Sequence, residues 1–95
     1  MLPDTDTPTY VNAFTYVKRS KNRQDIIKII ATSRITPSEI REEMDSRFSL
    51  ISRALKDLLD HDIVECMNPE ARTGRVYYLT DLGLQIYNEL ESRKK

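Results

Sequence analysis

The chain has 95 residues, of which 39% are hydrophobic and 32% are charged, and its formal net charge is zero. This length supports one domain with a modest core, and no apolar run is long enough to suggest a membrane span or a secretory signal. The single cysteine excludes an internal disulfide and favours a reducing, cytoplasmic location. One histidine and no tryptophan leave few of the groups that catalysis and metal binding favour.

Positive charge is concentrated in the middle of the chain. Residues 18–56 hold ten Lys or Arg and five Asp or Glu, a net charge of +5, whereas residues 1–17 carry −2 and residues 57–95 carry −3. A neutral total with a positive middle predicts a protein with one basic face. Ordinary scatter of surface charge is the alternative.

The N-terminal part is predicted to be a loose tail over residues 1–7, followed by a single domain over residues 8–95. Residues 8–18 carry apolar side chains at helical spacing, namely Tyr10, Val11, Phe14 and Val17. The β-branched and aromatic content of this segment also permits a strand, but the spacing favours a helix.

Two further helices are predicted from their start signals. Ser20 suits the N-cap of a helix that runs to about residue 31. The apolar face of that helix consists of Ile26, Ile27, Ile29 and Ile30. A second, stronger signal follows, because Thr36 and Glu39 form a capping box and Pro37 occupies the first helical position. This helix is short and is predicted to end near Met44.

Asp45 and Ser46 interrupt that helix and are predicted to cap the next one, over about residues 47–60. Placing its residues at 100° intervals separates two faces. The apolar face consists of Phe48, Ile51, Ala54, Leu55 and Leu58. The opposite face consists of Ser49, Ser52, Arg53, Lys56 and Asp60. The helix should therefore be buried along one stripe and present hydroxyls and two cations along another.

A hairpin and a last helix complete the predicted order. The strands are Ile63–Met67 and Arg75–Leu79, and the loop between them contains the turn residues Asn68, Pro69 and Gly74. Thr80 is predicted to cap the final helix. The apolar face of that helix consists of Leu82, Ile86, Tyr87 and Leu90. The fold class is therefore mainly α with a small β-hairpin, or α+β.

Five pieces of sequence occur in a characteristic order. They are RSKNRQDIIKII at 19–30, TPSEI at 36–40, SRAL at 52–55, GRVYYL at 74–79 and TDLG at 80–83. Over roughly residues 18–90 this order resembles the winged helix-turn-helix transcription regulators, particularly archaeal members close to the MarR-like and ArsR-like groups. One departure is the pair Asp45-Ser46, where many members place a glycine.

The resemblance implies sequence-specific binding of double-stranded DNA by a transcriptional regulator. The recognition helix at about 47–60 would enter the major groove, and the wing at about 68–75 would touch the backbone or the minor groove. Arginine can pair with guanine, serine can reach bases or phosphates, and lysine can neutralise phosphates. The candidate DNA-binding residues are Arg19, Lys21, Arg23, Ser38, Arg47, Ser49, Ser52, Arg53, Lys56, Arg72, Thr73 and Arg75.

A solvated helix face is the structural alternative for the residues of the recognition helix. Serines are poor helix formers, and a purely structural helix would be better stabilised by Glu and Lys at those positions. Winged helices also serve as protein-docking modules. A protein-interaction module within a larger complex, without direct DNA binding, is therefore the second hypothesis.

The sequence predicts neither a metal cofactor nor an enzyme. His61 and Cys66 supply one imidazole and one thiol, whereas a zinc site normally needs three or four ligands. A redox role for Cys66 is poorly supported, because no cation stands beside it in sequence to lower its thiol pKa. The chain has no glycine-rich phosphate loop and no nucleophile paired with a base, and it specifies no small-molecule effector.

A homodimer is predicted because one recognition helix reads only a few base pairs. Regulators of this kind usually dimerise and meet half-sites about 34 Å apart. The flanks offer apolar material for an interface through the N-terminal segment and the last helix. Its members are Tyr10, Val11, Phe14, Val17, Ile86, Tyr87 and Leu90. We expect this set to exceed what the domain's own core requires.

Overall fold

The computed structural model describes residues 8–93, and this part of the chain forms five helices and one two-stranded antiparallel sheet. The helices are α1 (Pro8–Lys18), α2 (Lys21–Ile30), α3 (Pro37–Glu43), α4 (Phe48–Asp60) and α5 (Asp81–Ser92). The strands are β1 (Val64–Cys66) and β2 (Tyr77–Leu79), which lie between α4 and α5 in the chain. This order is a winged helix-turn-helix, as the sequence predicts. The predicted tail at 1–7 lies outside the described residues.

The segment that permitted either a helix or a strand is helix α1. Its buried side chains are Tyr10, Ala13 and Val17, which are three and four residues apart and so share one side of a helix. Val11, predicted to belong to this stripe, is instead 48% exposed. It follows Tyr10 directly and is therefore rotated about 100° away from the buried side.

Side-chain caps begin three of the helices, as predicted. The Ser20 hydroxyl accepts the N–H of Arg23 at 3.4 Å. In the capping box, the Thr36 hydroxyl accepts the N–H of Glu39 at 3.2 Å, and the Glu39 carboxylate accepts the N–H of Thr36 at 2.9 Å. The Thr80 hydroxyl accepts the N–H of Gly83 at 3.1 Å. Each cap satisfies a backbone donor that the first turn leaves unpaired and stabilises its helix by about 1 kcal/mol.

The predicted cap of α4 is wrong. Arg47 occupies the N-cap position with extended backbone, and its side chain makes no capping hydrogen bond. The N–H groups of Leu50 and Ile51 instead bond to the Arg47 carbonyl, at 3.0 and 3.1 Å. Asp45 and Ser46 lie two residues and one residue too early, because the first helical residue of α4 is Phe48.

The hairpin is shorter than predicted, and Asn68 is the reason. The register pairs Val64 with Leu79 and Cys66 with Tyr77. Beyond it, the Asn68 side-chain oxygen accepts the N–H of Val76 at 2.8 Å, and its amide donates to the Gly74 carbonyl at 3.1 Å. The side chain thus takes over donors and acceptors that a longer ladder would have used.

Ile35 adds a third backbone segment to the sheet. Its N–H donates to the Tyr77 carbonyl at 3.0 Å and its carbonyl accepts the Tyr77 N–H at 2.8 Å. This bridge joins the α2–α3 connection to the outer side of β2. It fixes the position of the wing relative to the helix-turn-helix.

The core lies between the five helices and the hairpin, and within residues 9–93 its buried side chains are apolar or aromatic. Fully covered members come from every layer, and they include Val17, Ile26, Ile30, Ile40, Ile51, Leu55, Leu58, Ile63, Val64 and Ile86. None of the helices within residues 8–93 combines the length and the apolar character needed to cross a membrane.

Candidate nucleic-acid interface

Helix α4 is buried along one side and exposed along the other. The buried side chains are Ile51, Leu55 and Leu58. The exposed polar residues are Ser49, Ser52, Arg53, Lys56 and Asp60. The two ion pairs between described residues use other cations, Lys21 and Arg93, so no acid within residues 8–93 pairs with Arg53 or Lys56. The exposed face thus presents hydroxyls and two positive charges that are not in ion pairs with described residues, together with the carboxylate of Asp60 at the last position of the helix.

A cleft of about 650 Å³ separates α4 from the wing, the loop of residues 68–75, and the start of α3 closes one end. Its apolar lining consists of Pro37, Phe48, Leu55, Leu59 and Tyr77. Its polar lining includes Ser38, Ser52, Lys56, Arg72, Thr73 and Arg75. The described residues that line the cleft include one acidic residue, Asp60, at the C-terminal end of α4. The cleft therefore combines an apolar interior with a cationic, hydroxyl-bearing edge.

Local hydrogen bonds give the wing its shape. Besides the two bonds of Asn68, the Arg75 Nε donates to the Ala71 carbonyl at 2.7 Å. Gly74 has a φ of +67°, a conformation that side chains with a Cβ disfavour. Arg72, Thr73 and Arg75 are all exposed. The wing thus presents two guanidinium groups to the cleft on a closed loop.

The cations at the start of α2 lie apart from the cleft. Arg19 and Lys21 are exposed, and Lys21 forms an exposed ion pair with Asp25 at 3.3 Å. Arg23 is half-buried and donates from Nη1 to the Tyr16 carbonyl at 2.7 Å. Its guanidinium carbon lies 3.7 Å from the centre of the Tyr16 ring. The structure therefore gives Arg23 an intramolecular partner that the sequence did not reveal.

The Tyr16 ring also contacts the end of α4. It stacks on His61 with ring centres 3.8 Å apart, and His61 is the C-cap residue of α4. One ring nitrogen of His61 lies 2.8 Å from the Asp57 carbonyl. Burial raises the pKa of the Tyr16 hydroxyl, and the charge of Arg23 opposes that rise. This stack joins α1 and α2 to the end of α4.

Metal-binding groups are dispersed over the described part of the chain. There, no three His, Cys, Asp or Glu side chains come close enough to hold an ion together. The Cys66 thiol is half-buried and lies 3.6 Å from the Asn68 side-chain oxygen.

Phe48, like Val11, is more exposed than the sequence predicts. It was predicted to lie in the buried stripe of α4, but it is 42% exposed and lines the cleft. The helical positions of Phe48, Ser52 and Leu59 fall within about 40° of one another. On a helical wheel, Phe48 therefore lies at the border of the apolar stripe, next to Ser52. This border position is the feature of the sequence that indicates its exposure.

No protein-family model and no curated protein matches the sequence. The fold, however, is similar to solved structures. The transcriptional repressor BigR from Xylella fastidiosa is 17% identical, with a TM-score of 0.75 over 90% of this chain and 86% of that chain. A mutant of the type III plasmid segregation protein TubR is 8% identical, with a TM-score of 0.74 over 96% and 97%.

A third similar structure is the adhesin competence repressor AdcR from Streptococcus pyogenes. It is 16% identical, with a TM-score of 0.68 over 86% of this chain and 65% of that chain. At these identities the likeness concerns the fold. It confirms that the predicted architecture, mainly α with a small hairpin, is the winged helix-turn-helix.

Proposed function

We propose that this protein is a transcriptional regulator that binds double-stranded DNA and recognises its sequence. Helix α4 would lie in the major groove, and the wing would contact the backbone or the minor groove. The observation that carries the proposal is the joint placement of Ser52, Lys56, Arg72 and Arg75 around one open cleft. Cations that form no ion pair with an acid of residues 8–93, arranged on both sides of a cleft, are suited to a polyanion.

Two further observations support the proposal. The basic middle of the chain, residues 18–56, contains α2, α3 and the part of α4 up to Lys56. Two of the solved structures that share the fold are named as repressors, BigR and AdcR. Membership of the MarR-like or ArsR-like groups, and an archaeal type, stay predictions from the sequence. So do a cytoplasmic location and the absence of enzymatic activity.

Salt-dependent binding to duplex DNA tests the proposal. A labelled random-sequence duplex is titrated with the protein at increasing salt, and the binding constant is measured by fluorescence anisotropy. Each neutralised phosphate should contribute about −0.9 to the slope of log K against log salt. A steep slope is expected. Little binding at any salt would contradict the proposal and favour a protein-interaction module.

We also propose that the regulator acts as a homodimer, through a smaller apolar surface than the sequence predicts. Most of the apolar residues of the flanks are used within the protomer, since Tyr10, Val17, Ile86 and Leu90 are buried in its own core. The apolar surface left over is thus smaller than expected. What remains for a partner is the exposed Val11 with half-buried Phe14 and Tyr87.

A further inference from the structure

The cleft has one strongly exposed aromatic ring among its described residues, that of Phe48. Phe48 is the first residue of α4 and is 42% exposed. It lines the cleft together with Ser52 and Leu59, opposite the arginines of the wing. An exposed phenyl group gains free energy when apolar surface covers it, and nothing within the described residues covers this one further.

The proposed partner offers few groups that suit such a ring. Phosphates and the donors and acceptors of the base edges require polar contacts. Thymine is the exception, because its 5-methyl group is an apolar feature of the major groove and is contacted by side chains such as Phe. The N-terminal residues of a recognition helix are the ones that reach base edges. Phe48 lies at that end of α4.

We propose that Phe48 is a specificity-determining residue that packs on the 5-methyl group of a thymine. The preferred duplex would then carry this thymine beside the base pair that Ser49 or Ser52 contacts, since Ser49 follows Phe48 directly and Ser52 lies about one turn further along the exposed side of the helix. The inference rests on the proposed function, because it presupposes that α4 enters the major groove.

Leu50 supplies a matched control. It lies in the same turn of α4 and is 45% exposed, but it is rotated about 160° from Phe48 and does not line the cleft. Leu50→Ala and Phe48→Ala therefore remove similar exposed apolar surface from the same turn. Only the second removes it from the cleft.

The experiment measures the contribution of single methyl groups. The wild-type protein first selects its preferred duplex from a random pool, and each thymine is then replaced in turn by deoxyuridine, which lacks only the methyl group. At one thymine in each bound site, this change should weaken binding about fourfold, the value of one buried methyl-sized group. The Leu50→Ala variant should lose the same affinity when that thymine is replaced by deoxyuridine. The Phe48→Ala variant should bind the two duplexes almost equally.

Two results would overturn the inference. One is that no replacement of a thymine by deoxyuridine weakens binding of the wild type. The other is that the replacement weakens binding of Phe48→Ala as much as it weakens binding of the wild type. Should Phe48→Ala fail to fold, 5-iododeoxyuridine replaces the identified thymine, with its iodine in the position of the methyl group. Irradiation should then crosslink the peptide that contains Phe48, and a crosslink elsewhere would count against the inference.

The outcomes separate this inference from the function on which it rests. If the wild type binds no duplex even at low salt, both are wrong. If it binds duplex DNA with a steep salt dependence but without a methyl effect, the proposed function stands and the role of Phe48 is wrong.

Discussion

Arg53 lies near the centre of the exposed side of α4, opposite the buried Ile51, Leu55 and Leu58. A guanidinium at this position of a recognition helix can donate two parallel hydrogen bonds to a guanine. We therefore expect Arg53→Ala to cost about 1–3 kcal/mol of binding free energy on the preferred duplex and much less on random DNA.

The measurement is a pair of titrations, on selected and on random duplex, at one salt concentration. Arg34→Ala is a suitable control, because Arg34 is also exposed but lies near Tyr78, on the opposite face of β2 from the Tyr77 that lines the cleft. Equal losses of Arg53→Ala on both duplexes would assign Arg53 to a phosphate instead of a base.

Gly83 and Gly74 are constrained to glycine by different effects, a close contact at Gly83 and a positive φ at Gly74. A Cβ at Gly83 would overlap the Ile63 carbonyl oxygen and crowd the Leu79 side chain, whereas a Cβ at Gly74 would meet nothing. Gly83→Ala should therefore destabilise the fold by ~3 kcal/mol through overpacking. Gly74→Ala should cost only about 1 kcal/mol, from its positive φ. Urea denaturation measures both, and equal losses would contradict this account.

At the scale of the elements, the wing is the part whose charge can be removed without touching the core. Arg72 and Arg75 are exposed. If each neutralises one phosphate, replacing both with Ala should weaken binding to all sequences alike and reduce the magnitude of the salt slope by up to ~2. Salt titrations of the double variant and of Arg34→Ala measure this. An unchanged slope would mean that the wing does not touch DNA.

The starts of the helices were predictable because their signals are local. The hydroxyls of Thr36 and Thr80 bond to N–H groups three residues away, so a pattern over four positions contains the whole interaction. The failed cap of α4 shows the limit of such patterns. Asp45 and Ser46 are good capping residues, but α4 begins at Phe48 and Arg47 therefore occupies the N-cap.

The rest of the candidate site depends on contacts between distant residues, which no local pattern contains. Phe48 is exposed because the cleft opens beside it, and the width of that cleft is set by the wing. The contact of Arg23 with Tyr16 joins two helices across a turn. Asn68 reaches six and eight residues along the chain to close the wing. These three features are therefore visible only in the folded structure.

At the scale of the whole molecule, the homodimer is the open question of assembly. The exposed apolar side chain of α1 is Val11, and Phe14 and Tyr87 are half-buried. Light scattering at micromolar concentration should give the mass of a dimer. Val11→Glu should shift it towards the monomer, because a charge would have to be buried in the interface.

Met67→Glu is the control for that experiment. Met67 is exposed to a similar degree, 52%, but lies at the base of the wing. It should leave the mass unchanged. A wild-type protein that remains monomeric at high concentration and on DNA would contradict the dimer and indicate a single-site or partner-dependent binder.

The backbone bridge between Ile35 and Tyr77 affects how the molecule would meet its partner. Two hydrogen bonds hold Ile35, two residues before α3, against the strand that leads out of the wing. They tie the helix-turn-helix to the wing, and the cleft between α4 and the wing is therefore preorganised before any duplex arrives. Little conformational entropy is therefore lost on binding, because α4 and the wing do not have to be brought together. More of the free energy of the contacts can then contribute to discrimination between DNA sequences.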